Sequence, residues 1–225
     1  MKNKITSLIR SQVNKLVPFV LELPWADIVT RGWNLAKKLW QDQAEEGIYE
    51  VLEYESKLEL LDKKGKHARF TKREKVRYMQ NNIVAYQDHA WGDGKILLNY
   101  RCTPGKVVDR YRPGHRTFLL ISLRKSKQRG DIDEFNMEWG IRDGFLRDQE
   151  LWETEVRHRT RKLKVQIVFP KSRPPQRFWL EENTHRKRKE ITMSALRLLP
   201  DGRWQMTWQT YEPRLNECYQ LHWTW

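Results

Sequence analysis

Residues 199–225 read LPDGRWQMTWQTYEPRLNECYQLHWTW and hold four of the chain's eleven tryptophans. Trp204, Met206 and Trp208 alternate with Gln205, Thr207 and Gln209. Beyond YEPRLN, Tyr219, Leu221, Trp223 and Trp225 alternate with Gln220, His222 and Thr224. Successive side chains of a strand point to opposite faces, so each run has one aromatic and one polar face. Asp201-Gly202 supplies a turn before the first run. A platform for stacked bases would set its rings among exposed basic groups, and only Arg203 and Arg214 lie nearby. The pattern therefore predicts a terminal hairpin whose rings form core.

The same alternation recurs upstream. Tyr54, Ser56, Leu58 and Leu60 alternate with charged residues, DKKGK makes a turn, and HARFTKREKVRYM returns as a strand. Ile96, Leu98, Tyr100 and Cys102 share a face, as do Thr117, Leu119, Ile121 and Leu123, and Leu163, Val165, Ile167 and Phe169. Asp93-Gly94 aligns with Asp201-Gly202, and the strands that follow keep the same inward positions, the pattern expected of an internal repeat. Residues 131–150 fit a strand through Phe135, Met137, Trp139 and Ile141. They also fit a helix face through Ile132, Phe135 and Trp139, so periodicity alone leaves both open.

The first fifty residues follow a different period. Ile5, Leu8, Ile9, Val13, Leu16, Val17, Val20 and Leu21 recur at intervals of three and four, and Trp25, Ile28, Val29, Trp33, Ala36, Leu39 and Trp40 make a second stripe. Pro18 ends or kinks the first helix and Pro24 suits the first turn of the second. The expected fold is thus mainly β with an N-terminal helical hairpin, the β part being an antiparallel β-sandwich or two tandem small β-modules. The expected division is 1–48 amphipathic helical hairpin, 49–130 basic β-module, 131–155 acidic connecting segment and 156–225 basic Trp-rich β-module, or one joint sandwich over 49–225.

Net charge is +14 and the sequence pI about 9.8, which favours an anionic partner. Basic residues exceed acidic ones by 11 over 51–130 and by 9 over 156–225, whereas acids lead by 7 over 131–155. Three cationic clusters stand out: Arg124, Lys125, Lys127 and Arg129; Arg157, Arg159 and Arg161, expected on one strand face; and Arg186, Lys187, Arg188 and Lys189. Flexible cations of this kind bind phosphate oxygens without reading sequence.

Cys102 and Cys218 are too few for a disulfide framework and lack the spacing of a zinc or redox motif. The six histidines show no metal-ligand spacing, no dinucleotide, phosphate-loop or nucleophile-elbow motif occurs, and no cofactor is implied. QDHAWGDG groups Asp88, His89 and Asp93 and is the sole candidate for acid–base or metal-nuclease chemistry. No secretory signal or membrane-spanning run is visible, so the expected compartment is the cytoplasm.

The sequence points to a non-enzymatic binding protein. Its basic β-body contacts a polyanion, foremost nucleic acid, and its helices dock onto a larger protein through Ile5, Leu8, Ile9, Leu16 and Val20. A pure protein–protein adaptor or regulatory subunit, and a metal-dependent nuclease, are the alternatives.

Overall fold

Fourteen strands carry the chain after Gly47: β1 (Tyr49–Leu60), β2 (His67–Tyr78), β3 (Ile83–Ala90), β4 (Lys95–Thr103), β5 (Lys106–Tyr111), β6 (Thr117–Lys127), β7 (Ile132–Arg142), β8 (Gln149–Glu155), β9 (Lys162–Phe169), β10 (Arg177–Glu182), β11 (Lys187–Ile191), β12 (Leu196–Leu198), β13 (Trp204–Tyr211) and β14 (Cys218–Thr224). The structure is a computed structural model that describes residues 47–225. The expected helices, with Ile5, Leu8, Ile9, Leu16 and Val20, lie outside the described residues. The β-part belongs to one compact unit, Glu46–Trp225.

Three sheets result: a seven-stranded sheet in the order β12-β13-β9-β1-β2-β7-β4, a four-stranded sheet β11-β10-β14-β8, and a three-stranded sheet β3-β6-β5. The β1–β2 turn is set locally. The Asp62 carboxylate accepts from the backbone N–H groups of Lys64, Lys66 and His67 at 2.8, 3.2 and 2.8 Å. Gly65 has φ +68°, and a Cβ there would stand 1.6 Å from the Phe145 carbonyl oxygen, so only glycine fits.

Rings from the two smaller sheets meet one face of the large sheet. Trp152 of β8 lies 4.7 Å from Phe70 of β2, Phe178 of β10 lies 5.5 Å from Phe169 of β9, and Trp223 of β14 lies 5.6 Å from the same Phe169. From the three-stranded sheet, Tyr86 of β3 stacks on Phe135 of β7 at 4.0 Å. The expected alternation holds where it matters for the core: Leu58, Leu60, Leu119, Ile121, Leu163, Val165, Ile167, Met206, Leu221 and Trp223 are buried.

Three expectations need correction, and one open alternative is resolved. First, the terminal run is not a hairpin. β13 pairs with β9 and β12, while β14 pairs with β10 and β8. Each strand has one apolar face, and placing them in different sheets lets those faces meet across the core, with Trp208 and Tyr219 5.1 Å apart. Second, the large sheet is mixed, because β1 and β9 run parallel. Third, residues 132–142 form strand β7, which is buried at Phe135, Met137, Trp139 and Ile141 and paired on both sides, with β2 and β4. Fourth, β4 breaks its alternation. Leu97 and Asn99 take φ of +58° and +53°, and Leu97 is buried although its neighbours Ile96 and Leu98 are the half-buried ones.

Trp223 is fully buried in contact with Phe145, Phe169 and Trp225. Trp223→Ala should cost about 3–5 kcal/mol in urea unfolding, the range for truncating a large core ring. Leu215→Ala, at an exposed position, should cost less than about 0.5 kcal/mol.

Candidate nucleic-acid interface

The three cationic clusters gather at one end of the β-body, where β1, β9 and β14 begin and β2, β6 and β10 finish. Tyr49 pairs with Tyr78 there. The first cluster leaves the end of β6, and its turn is fixed to the end of β2 by Gly130 N–H on Tyr78 O at 2.8 Å and Arg129 N–H on Asn81 Oδ1 at 2.9 Å. The second runs beside the start of β1. Val51 N–H donates to Arg159 O and Arg161 N–H donates to Val51 O, both at 2.9 Å. The third sits in the β10–β11 hairpin, whose Asn183 N–H reaches Cys218 O at 3.0 Å. Val156 N–H on Glu217 O at 2.9 Å ties that hairpin's neighbour back to the second cluster.

Within the clusters the cations divide. The expected stripe of Arg157, Arg159 and Arg161 is absent, because this segment is a loop with a single bridge at Thr160. Arg157 lies over the Phe118 ring at 5.5 Å, and Arg161 binds both oxygens of Glu50 at 2.9 and 3.3 Å. Lys127 pairs with Asp133 at 2.7 Å, and Arg188 covers Trp179 at 4.5 Å with Glu190 3.7 Å away. Among the described residues, Arg124, Lys125, Arg129, Arg159, Arg186, Lys187 and Lys189 are exposed and form no ion pair. The acids of β7 and β8 are spent mainly elsewhere: Glu134 on Arg73 at 3.0 Å, and Glu155 on Arg116.

The third cluster rests on a group the sequence did not reveal, since Glu217 stands 32 residues from His185. The Glu217 carboxylate is buried, accepts from the Thr184 and Cys218 N–H groups at 2.8 and 3.0 Å, and is bonded to His185 Nδ1. Burial would raise this carboxyl, but the His185 bond and the backbone donors outweigh it and hold it below its ordinary value. Glu182, His185 and Glu217 place ligand atoms within 4.8 Å of one another, a donor set that could suit a divalent cation. Each carboxylate already has a protein partner, Glu182 taking Arg214 at 2.8 Å, and the group serves as a strut under the basic hairpin.

Asp88, His89 and Asp93 do not assemble into an acid–base cluster. Parity sends Asp88 inward, where it meets Lys72 at 2.5 Å and accepts from Tyr100 Oη at 2.8 Å. His89 points the other way and stacks between Trp91 and Phe118, and Asp93 is exposed 3.5 Å from Arg147. The inward group is a buried ion cluster. Lys72 also reaches Glu74 at 3.3 Å, and Glu74 accepts from Tyr86 Oη at 2.8 Å. Burial would lower the Lys72 ammonium, but Asp88 and Glu74 overcome that and raise it, so it stays charged. Burial likewise lifts the Tyr54 phenol to about 12. The Phe70–Lys72–Glu74–Val76 parity was the available signal, two charges on an otherwise apolar face.

No family model matches this chain, and no curated protein does. Among solved structures, one described as a "putative protease" from Parabacteroides distasonis is similar at TM-score 0.46 and 11% identity, over 79% of this chain and 40% of that one. The chain therefore spans less than half of that protein's length.

Burial, then the charges of Lys72, Arg157 and Arg116, press the His89 pKa well below its ordinary 6.5; burial also lowers His222. A histidine held neutral in the fold but free to charge when unfolded costs nothing above pH 6.5 and loses stability as pH falls below it. Urea unfolding should weaken between pH 7.5 and 5.5, by up to about 1.4 kcal/mol per pH unit below 6.5 for each imidazole. Glu150, whose carboxyl burial raises, opposes the trend. His89→Gln should flatten the profile, and a profile unchanged by it would contradict the assignment.

Proposed function

We propose that this protein is a non-enzymatic nucleic-acid-binding accessory protein. Its mainly β body, read as a β-sandwich, presents a cationic end to phosphates, and its N-terminal helices dock onto a larger protein. The observation that carries this is the gathering of three clusters, spread from Arg124 to Lys189 in sequence, around one end. Their exposed unpaired cations there cost little to the fold and are available to an anion. The helical stripe of Ile5, Leu8, Ile9, Leu16 and Val20 supports the docking half from its periodicity alone. No helix among the described residues is long and apolar enough to cross a membrane, and the cytoplasm is the compartment proposed.

A filter-binding titration against salt tests the nucleic-acid half. Seven available cations predict a slope of log K against log salt of about −6 for duplex DNA. Lys125→Ala with Arg129→Ala, and separately Arg186→Ala with Lys187→Ala, should each reduce that slope by about 2 and weaken every sequence alike. No binding of DNA or RNA at low salt would reject the proposal and leave the adaptor.

A further inference from the structure

On the face of the three-stranded sheet turned away from the ion cluster, four rings stand in line. Trp91 stacks on His89 with centroids 5.4 Å apart and planes within 9°, His89 on Phe118 at 5.7 Å and 27°, and Phe118 on Tyr111 at 5.3 Å and 11°. Strand parity builds the line: His89 pairs with Phe118 across β3–β6, and Phe118 with Tyr111 across β6–β5. Both ends are held by hydrogen bonds. Trp91 Nε1 donates to Glu153 at 2.7 Å, and Gln87 Nε2 donates to Tyr111 Oη at 2.5 Å. Phe118 is buried under its neighbours, while Trp91, His89 and Tyr111 keep part of their surface exposed.

Two arginines attend the line. Arg116 lies over Trp91 at 4.8 Å, itself anchored by Glu155, and Arg157 of the second basic cluster lies over Phe118 at 5.5 Å. The imidazole in the middle is neutral, as derived above, so the line carries no charge that would repel them. Rings with fixed orientation beside guanidinium groups suit a ligand that alternates flat apolar surface with anionic charge.

We propose that this ladder is a base-stacking track that gives the protein preference for single-stranded over double-stranded nucleic acid. The inference rests on the nucleic-acid reading above and goes further by naming the strand state. Arg157 belongs both to the basic end and to the ladder, so a strand whose phosphates lie at that end has its bases within reach of the rings. A duplex keeps its base faces stacked inside and can use the phosphates alone.

Fluorescence anisotropy with a labelled twelve-nucleotide oligo-dT and a twelve-base-pair duplex at 0.1 M salt provides the test. The wild type should bind the single strand at least about tenfold more tightly. Trp91→Leu should lower single-strand affinity about tenfold and duplex affinity less than about twofold, with Trp91→Phe retaining most of the preference. Tyr111→Leu, at the other end of the line, should act in the same direction and covers the case in which Trp91→Leu fails to fold. Equal wild-type affinity for the two ligands, or a preference untouched by either variant, overturns the ladder while leaving the phosphate site standing. Binding of neither ligand overturns both.

Discussion

Lys72 points into the interior from the middle of the large sheet, and a charged ammonium there needs an anion brought from elsewhere. Glu74 on its own strand supplies part of the answer, but the shortest contact comes from Asp88 of the three-stranded sheet. Taking either partner away would strand a desolvated charge, at a cost of roughly 3–5 kcal/mol. The docking of the small sheet on the large one is therefore fixed in register. With Asp88 turned inward, the alternation of β3 turns His89 outward, and the aromatic line follows. The same docking sets the end of β6, with Arg124 to Arg129, beside the end of β2.

Such a cluster specifies position more than it adds stability, since an apolar set of equal volume would be neutral or better. Three tyrosines complete it: Tyr86 and Tyr100 donate to the carboxylates, and the Tyr54 ring lies 5.7 Å from the ammonium. The four-stranded sheet depends on a different force. There the contact is Trp152, Phe178, Tyr219 and Trp223 against Phe70, Phe169 and Trp208, which is area burial without direction.

Much of the fold was legible because face and burial are written in parity. Of the rings and apolar residues that parity assigns to the core in 204–225, Met206, Tyr219, Leu221, Trp223 and Trp225 are buried, whereas Trp204 and Trp208 are half-buried. The partners of these two strands were misread, since alternation says which side a residue faces and nothing about which strand lies beside it. The parallel contact of β1 with β9 was hidden for the same reason. Residues 131–150 are ambiguous in sequence because Phe135 and Trp139 belong both to a strand face with Met137 and Ile141 and to a helix face with Ile132, and pairing with β2 and β4 decides the matter. The site was less legible. The clusters were visible as composition, but their gathering at one end depends on topology. The Glu217 strut joins residues too far apart for any spacing rule, and the ladder combines rings from three strands, none of which stands out alone.

The surface proposed for nucleic acid is one end of the β-body together with the aromatic line. Hydrogen exchange of the whole chain with and without saturating oligo-dT distinguishes it from the rest of the molecule. Slowed exchange is expected at 124–130, 157–161 and 183–189, extending to Trp91 and Tyr111, with the opposite end around Gly65 and Gly202 unchanged. Protection centred on that opposite end, or none at all under saturation, would contradict it.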